Sequence, residues 1–276
     1  MTDAWVAARD AARVAGVELR PLTSVDDAER LNDVIVETWG GQRLDREVIR
    51  ALATSGNVPW GAFADGELVG IVLGWAGVDD GGLHVHSHML AARPGRRHAG
   101  VGYALKLAQR AQALDQGITV MRWTFDPLVA RNAWLNLGKL GALVDGFARA
   151  FYGDMADAIN VGERSDRFTV AWDLEREPGP RRGPVPVDAW VVLRAEGAGT
   201  IPHPILDLDP LHGDVVLLEI PREYHDLRVA DPELGRAWRD ATADAAEACL
   251  GRGLAGVAFL REPSAYVFAR SDRASS

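Results

Sequence analysis

The sequence predicts an α/β protein, and three observations carry the prediction. Helical and strand periodicities alternate through about the first 174 residues. A glycine-rich stretch, Arg96-Arg97-His98-Ala99-Gly100-Val101-Gly102, stands between an apolar strand and a long helix. A Pro/Gly-rich segment then separates this part from a smaller α+β region. The expected division is residues 1–176, a linker at 177–186, and an accessory α+β domain at 187–276.

Asp3 to Ala15 reads as a short Ala-rich helix with Trp5, Val6 and Val14 as its apolar contacts. Val17 to Leu22 alternates apolar and polar residues, as a strand does. Ser24 followed by Asp27 is a variant of the capping box, opening a helix with Ala28, Leu31, Ile35 and Val36 on one side. A further helix is expected over Leu44 to Thr54. Trp60–Ala64 and Glu67–Ala76 meet at Asp65-Gly66, a strong hairpin signal. Leu83–Ala92 is the next strand, followed by the glycine loop and a helix to about Gln116. Ile118–Phe125 is a strand ended by Asp126-Pro127, and Ala130–Lys139 a helix. Ala142–Tyr152 and Phe168–Leu174 complete the first part as strands.

Glu175–Pro186 is charged and rich in Pro and Gly, which excludes a regular element. Beyond it, strands are expected at Ala189–Leu193, Val215–Ile220, Leu254–Leu260 and Ala265–Ala269, with a helix over Pro232–Leu250. Gly235-Arg236-Ala237 loosely echoes Gly102-Tyr103-Ala104, each beginning an Ala-rich helix before an apolar strand. A degenerate half-repeat and a separate accessory module both fit that echo.

Gly100 and Gly102 leave main-chain N–H groups uncovered, and the first turn of the following helix adds its free amides, which makes an anion site. Spacing separates the known phosphate loops. A nucleotide-triphosphate loop needs Lys then Ser or Thr after its last Gly, where this chain has Val101 and Gly102. A dinucleotide fingerprint needs a third small residue where Leu105 stands.

What remains is Arg-x-x-Gly-x-Gly, as Arg97-His98-Ala99-Gly100-Val101-Gly102. It resembles motif A of the GNAT superfamily of acyl-CoA N-acyltransferases. The order helix-helix-strand-strand-strand, glycine loop, helix resembles that family too. Arg131-Asn132-Ala133 through Lys139-Leu140-Gly141 looks like its motif B, with Ala130 where an Asn is common and Leu137 where a Tyr often acts as general acid. The resemblance covers about the first 174 residues. It implies a GNAT-like mixed, mostly antiparallel sheet flanked by helices, and an acyl-CoA co-substrate, acetyl-CoA or another. It places the coenzyme's pyrophosphate on Arg97, His98, Ala99, Gly100, Val101 and Gly102. It also implies that the strand before the loop splays from its neighbour, with Leu90 and Ala92 pairing with the pantetheine arm and Asn132 near it. Phe125-Asp126-Pro127, Arg131-Asn132-Ala133 and Lys139-Leu140-Gly141-Ala142 also look like a longer bacterial branch, some members of which accompany N-acylamino-acid racemases. That implies an amino acid as acceptor and succinyl as an alternative to acetyl.

Transfer of an acyl group to an amine needs a neutral amine, donors for the oxyanion and a proton for the leaving thiolate. His84, His86 and His88 alternate along a strand and so share one face. An imidazole with a pKa of about 6.5 suits proton removal at neutral pH. His86, at the place matching a strand carboxylate used as base in the family, is the first candidate and His88 the second. Tyr152 is the candidate acid in place of the missing motif B tyrosine. Arg131 and Asn136 are candidate substrate contacts, and Arg149, Arg164 and Arg167 could grip a carboxylate. Alternating histidines can bind metal, but no further carboxylate or His with recognisable spacing accompanies them, and none is expected. Ser87 has no nucleophile elbow around it.

Net charge is −9, which argues against a nucleic-acid or anionic-membrane partner. No run reaches the length of a membrane span. The N-terminus lacks a signal-peptide layout, so a soluble cytoplasmic enzyme is expected. Cys249 is the only cysteine, which rules out an intrachain disulfide, and Ala-rich surroundings mark it as packed. The expected partner is a small-molecule amine, with a homodimer as a candidate assembly. The rival expectation is a non-catalytic acyl-CoA sensor whose C-terminal module contacts a protein partner.

Overall fold

The computed structural model describes residues 3–41, 43–93, 99–153, 162–181, 185, 189–197, 202–208 and 213–270. Among these, contacts divide the chain into two compact units. One comprises Met1–Trp123 and Asp173–Arg176, the other Thr124–Met155, Gly162–Trp172 and Glu177–Ser276. Among the described residues the chain therefore crosses between units at Trp123/Thr124, within the strand before Asp126, at Trp172/Asp173 and at Arg176/Glu177.

The first unit runs α1 (Asp3–Ala15), β1 (Glu18–Pro21), α2 (Val25–Trp39), α3 (Arg46–Thr54), β2 (Trp60–Ala64), β3 (Glu67–Asp79), β4 (Gly82–Ala92), α4 (Val101–Asp115) and β5 (Val120–Phe125). Its strands lie in the order β1-β2-β3-β4-β5. The first three pairings are antiparallel and β4–β5 is parallel. Ser24 caps α2 with the expected reciprocal bonds: its hydroxyl accepts from Asp27 N–H at 3.0 Å, and Asp27 accepts from Ser24 N–H at 2.9 Å. Leu22, Leu31, Ile35, Ile49, Phe63 and Ile71 fill one face of the sheet; Val69, Val72, Val101 and Leu105 fill the other.

The packing of α1 corrects the sequence expectation. Val6 and Val14 are exposed, and the buried stripe is Ala4, Ala8, Ala12 and Ala15. Small residues at helical spacing let α1 lie close against α4. That contact explains why α4 buries residues on nearly every side, from Val101 to Ala113.

The second unit runs α5 (Ala130–Ala133), a π-helical segment (Trp134–Leu140), β6 (Leu143–Ala148), β7 (Arg167–Asp173), β8 (Trp190–Glu196), β9 (His203–Leu206), β10 (Val215–Glu219), α6 (Tyr224–Ala230), α7 (Pro232–Gly251), β11 (Ala255–Leu260) and β12 (Ala265–Ala269). Its strand order is β7-β6-β11-β12-β10-β8-β9, antiparallel except for β10–β8. Phe168, Tyr266 and Phe268 anchor its core, with Trp238 fully buried from α7.

Three expectations change here. The single helix expected over Ala130–Lys139 widens to π geometry at Trp134, and the N–H of Gly141 reaches back to Asn136 O. Gly138 lies so close to the Trp134 ring that a Cβ there would collide with it. The strand expected to continue to Tyr152 stops at Ala148, because Ala150 and Gly153 take positive φ, 48° and 66°. The echo between α4 and α7 does not extend to topology: β4 and β5 around α4 are neighbours, whereas β12 lies between β10 and β11 around α7. β9 and α6 carry too little periodicity to be read from sequence; Tyr224 is the buried residue of α6.

Candidate functional site

The N-terminus of α4 begins at Gly100, whose φ of +101° suits glycine. Its carbonyl accepts the Ala104 N–H at 2.9 Å, and no side chain caps the first turn. Among the described residues the early amides of α4 therefore have no side-chain cap, as an anion site requires. A Cβ on Gly70 in β3 would lie 2.8 Å from Val101, so that glycine admits the helix start against the sheet. Ala99, Gly100, Val101 and Gly102 are thus brought together at this turn. Arg97 and His98 lie outside the described residues.

Beside this turn, β4 and β5 share only two registers, Val85↔Met121 and His86↔Arg122. β4 continues to Ala92 without further pairing to β5, while its other edge stays paired to β3. Along that edge the register passes from Gly74↔Ser87 to Leu73↔Met89, which leaves His88 as an extra residue, a β-bulge. The strands form a fork, and Leu90 and Ala92 lie on its β4 arm.

His86 and His88 share one face with Trp75, as alternation predicts. The two imidazoles are 5.8 Å apart, and the Trp75 ring is 5.1 Å from one and 4.8 Å from the other. Burial lowers the pKa of His86, and the charges of His88, His84 and Lys106 act in the same direction. Burial likewise lowers that of His88. Both are therefore neutral bases at pH 7. His84 has contacts of its own: its ring lies against Gly77, with Nδ1 3.1 Å from Gly82 O and 3.7 Å from Asp79. Among the described residues no group of three His, Cys, Asp or Glu comes together as a metal site.

On the opposite face of the fork sits a residue that sequence reasoning missed. Lys106 of α4 is 2% exposed, and burial pushes its pKa well down. Its amine donates to Ser87 Oγ at 2.7 Å. Ser87 Oγ donates in turn to Gln109 Oε1 at 2.7 Å. Gln109 approaches this closely because residue 74 is glycine; a Cβ there would lie 2.6 Å from its Nε2. The available signal was composition: of thirty Lys and Arg residues only Lys106 and Lys139 are lysine.

The remaining candidates lie in the second unit. Tyr152 is exposed in a turn, its hydroxyl 3.1 Å from Thr124 Oγ1 and its N–H on Ser165 Oγ at 3.0 Å. Asn132 is half-buried, Arg131 exposed and Asn136 buried, with Leu137 fully buried after it. Arg149 and Arg164 are not available to grip a substrate carboxylate. Arg149 is paired with Asp244 and Glu247, and Arg164 with Asp166 and Asp240. Arg167 lies 3.8 Å from Asp126.

Element order and fork are those the GNAT resemblance implies. No family model matches the chain, and no curated protein matches it. Among solved structures, the ribosomal-protein-S18-alanine N-acetyltransferase of Escherichia coli is similar over 58% of this chain and 96% of its own, at 12% identity and a TM-score of 0.47. A protein from Desulfovibrio desulfuricans described as an acetyltransferase of the GNAT family is similar over 57% of this chain and 99% of its own, at 18% identity and a TM-score of 0.44. An aminoglycoside acetyltransferase from an uncultured soil sample is similar over 41% of this chain and 79% of its own, at 15% identity and a TM-score of 0.36.

Proposed function

We propose that the chain is an acyl-CoA-dependent N-acyltransferase that passes an acetyl or succinyl group to the amine of a small molecule, by direct attack in a ternary complex. The observation that carries this reading is the two-register β4–β5 ladder beside a glycine-led helix start with no side-chain cap. A diphosphate fits the amides of Ala99 to Gly102, since they present donors and the positive end of the α4 dipole. The arm fits along β4 past His86, where Leu90 and Ala92 offer backbone groups on the side that β5 has left.

Once bound, the thioester supplies an activated carbonyl; the protein's own residues do the rest. His86, or His88 beside it, accepts the proton of the attacking amine, because desolvation keeps both rings neutral at working pH. Trp75 packs on both rings and fixes their orientation. On the sequence reading alone, Tyr152 is the candidate proton donor to the leaving thiolate, in place of the tyrosine absent at Leu137. Arg131 and Asn136 are the candidate acceptor contacts of the motif B segment, Asn132 is its candidate coenzyme contact, and an amino acid is the proposed acceptor.

Thiol release from acetyl-CoA and succinyl-CoA across a panel of amino acids and other small amines tests the reading. Acceptor-dependent release that His86→Ala suppresses supports it. The buried Leu137, where the resemblance puts a tyrosine acid, favours the sensor as the second reading. Coenzyme binding with no acceptor-dependent release from any amine would favour the sensor and end the enzyme proposal.

A further inference from the structure

Lys106 touches both arms of the fork. Its amine is bonded to Ser87 on β4, lies 3.8 Å from Met121 Sδ on β5, and sits 3.7 Å over the Trp123 ring on β5. The last register of the ladder is His86↔Arg122. Ser87 and Trp123 are the next residue along each strand, so the contact falls at the point where the strands part.

The residue type is informative. A buried cation is costly unless paired, and among the described residues no carboxylate lies within ion-pair distance of Lys106. A methionine or leucine would fill the same space without that cost. Arginine, which this chain uses almost everywhere else, cannot give up its proton. Lysine can stand there as a neutral amine that still donates to Ser87 and still packs on Trp123.

We infer that Lys106 is a positioning residue: bonded to β4 and wedged against the β5 side chains, it stops the strands from pairing past His86 and Arg122 and holds open the gap for the acyl arm. The inference deepens the function proposed above and rests on it only for what the gap receives. Ser87 and Gln109 complete the device, since they hold the amine on the β4 side. Lys106 acts through the strands and touches neither the amine nor the thioester.

Lys106→Met in the full chain tests this, because it keeps the volume and removes the amine. The melting temperature is expected to rise. Amide exchange within Ser87–Met89 is expected to slow about tenfold or more as the ladder extends. The KM for acyl-CoA is expected to rise about tenfold with kcat changed less than about twofold, the pattern of lost ground-state binding. A residue that merely supported the fold would lower stability and leave those amides unprotected. If the methionine variant fails to fold, Ser87→Ala removes the β4 acceptor while keeping the amine, and the same exchange and KM are read. Unchanged exchange, or slowed exchange with an unchanged KM, overturns the inference. If no acceptor gives turnover, calorimetric affinity for acetyl-CoA replaces KM. If the parent binds no CoA species, the proposed function falls, and exchange alone decides whether Lys106 holds the fork.

Discussion

Lys106 in the first unit and Arg239 in the second are both nearly solvent-free, at 2% and 5% exposure, yet among the described residues only Arg239 has acids beside it. Arg239 donates to both oxygens of Asp126, at 2.7 and 3.0 Å, and to Glu163 at 3.0 Å. The Tyr224 hydroxyl donates to Glu163 at 2.8 Å, and Arg228 lies 3.6 Å from the same carboxylate. Burial opposes the charge on Arg239, but Asp126 and Glu163 outweigh it and its pKa rises. For Lys106 burial acts without opposition, and the pKa falls. The difference teaches where each unit needs strength. The second unit fixes the Asp126-Pro127 turn with a satisfied charge cluster, helped by Tyr266, whose hydroxyl donates to Pro127 O at 2.6 Å. The first unit keeps a titratable amine at the point where its sheet opens, which is a cost that packing alone would have avoided.

The comparison predicts opposite signs for one substitution. Arg239→Met should destabilise the protein by about 3 kcal/mol in urea, since it takes from the half-buried Asp126 and Glu163 the cation they share and leaves only Arg167 at 3.8 Å and Arg228 at 3.6 Å. Lys106→Met should do the reverse at neutral pH. A loss on removing Lys106 as large as that on removing Arg239 would erase the contrast.

Gly100→Ala comes next in size. A φ of +101° strains any residue with a Cβ, at about 1–3 kcal/mol, and the helix start must shift to relieve it. Affinity for coenzyme A, measured by calorimetry, should fall while the Arg239 cluster is untouched.

The stability gap between Lys106→Met and the parent should also depend on pH. The folded-state pKa of Lys106 lies below the ordinary 10.5, so the unfolded chain binds the extra proton between those two values. Parent stability therefore rises with pH across that window, and the advantage of the methionine variant should shrink as pH approaches 10.5. Urea titrations of both chains at several pH values check this; a gap constant with pH contradicts it.

The smallest expected effect is kinetic. His86 and His88 must be neutral to act, and both have pKa values below the ordinary 6.5. The kcat/KM profile should fall at acid pH with its half-point below 6.5, as protons take the rings. A fall that is half complete above pH 6.5 would place the base elsewhere.

Much of the first unit was legible because its signals are local. Ser24 and Asp27 cap α2, Asp65-Gly66 turns the β2–β3 hairpin, and Gly100 starts α4, each through its own chemistry. The alternation of His86 and His88 on one face was legible for the same reason. What escaped depends on neighbours distant in sequence. Alanines proved to be the buried face of α1 because α4 lies against them, and Val6 and Val14 were left outside. Arg149 and Arg164 look free in sequence and are taken up by α7. The π-helical turn from Trp134 carries Gly138 close against that ring, which no periodicity reveals. Lys106 reads as one polar residue in an apolar helix until β4 and β5 are seen to part above it.

The central claim is that the turn at Ala99–Gly102 and the β4 arm of the fork hold an acyl-CoA. Titration of the purified full chain with acetyl-CoA in a calorimeter tests it most directly. The account predicts saturable binding of one molecule per chain, weakened by Gly100→Ala. Absence of saturable binding for acetyl-CoA, succinyl-CoA and free coenzyme A alike would contradict it.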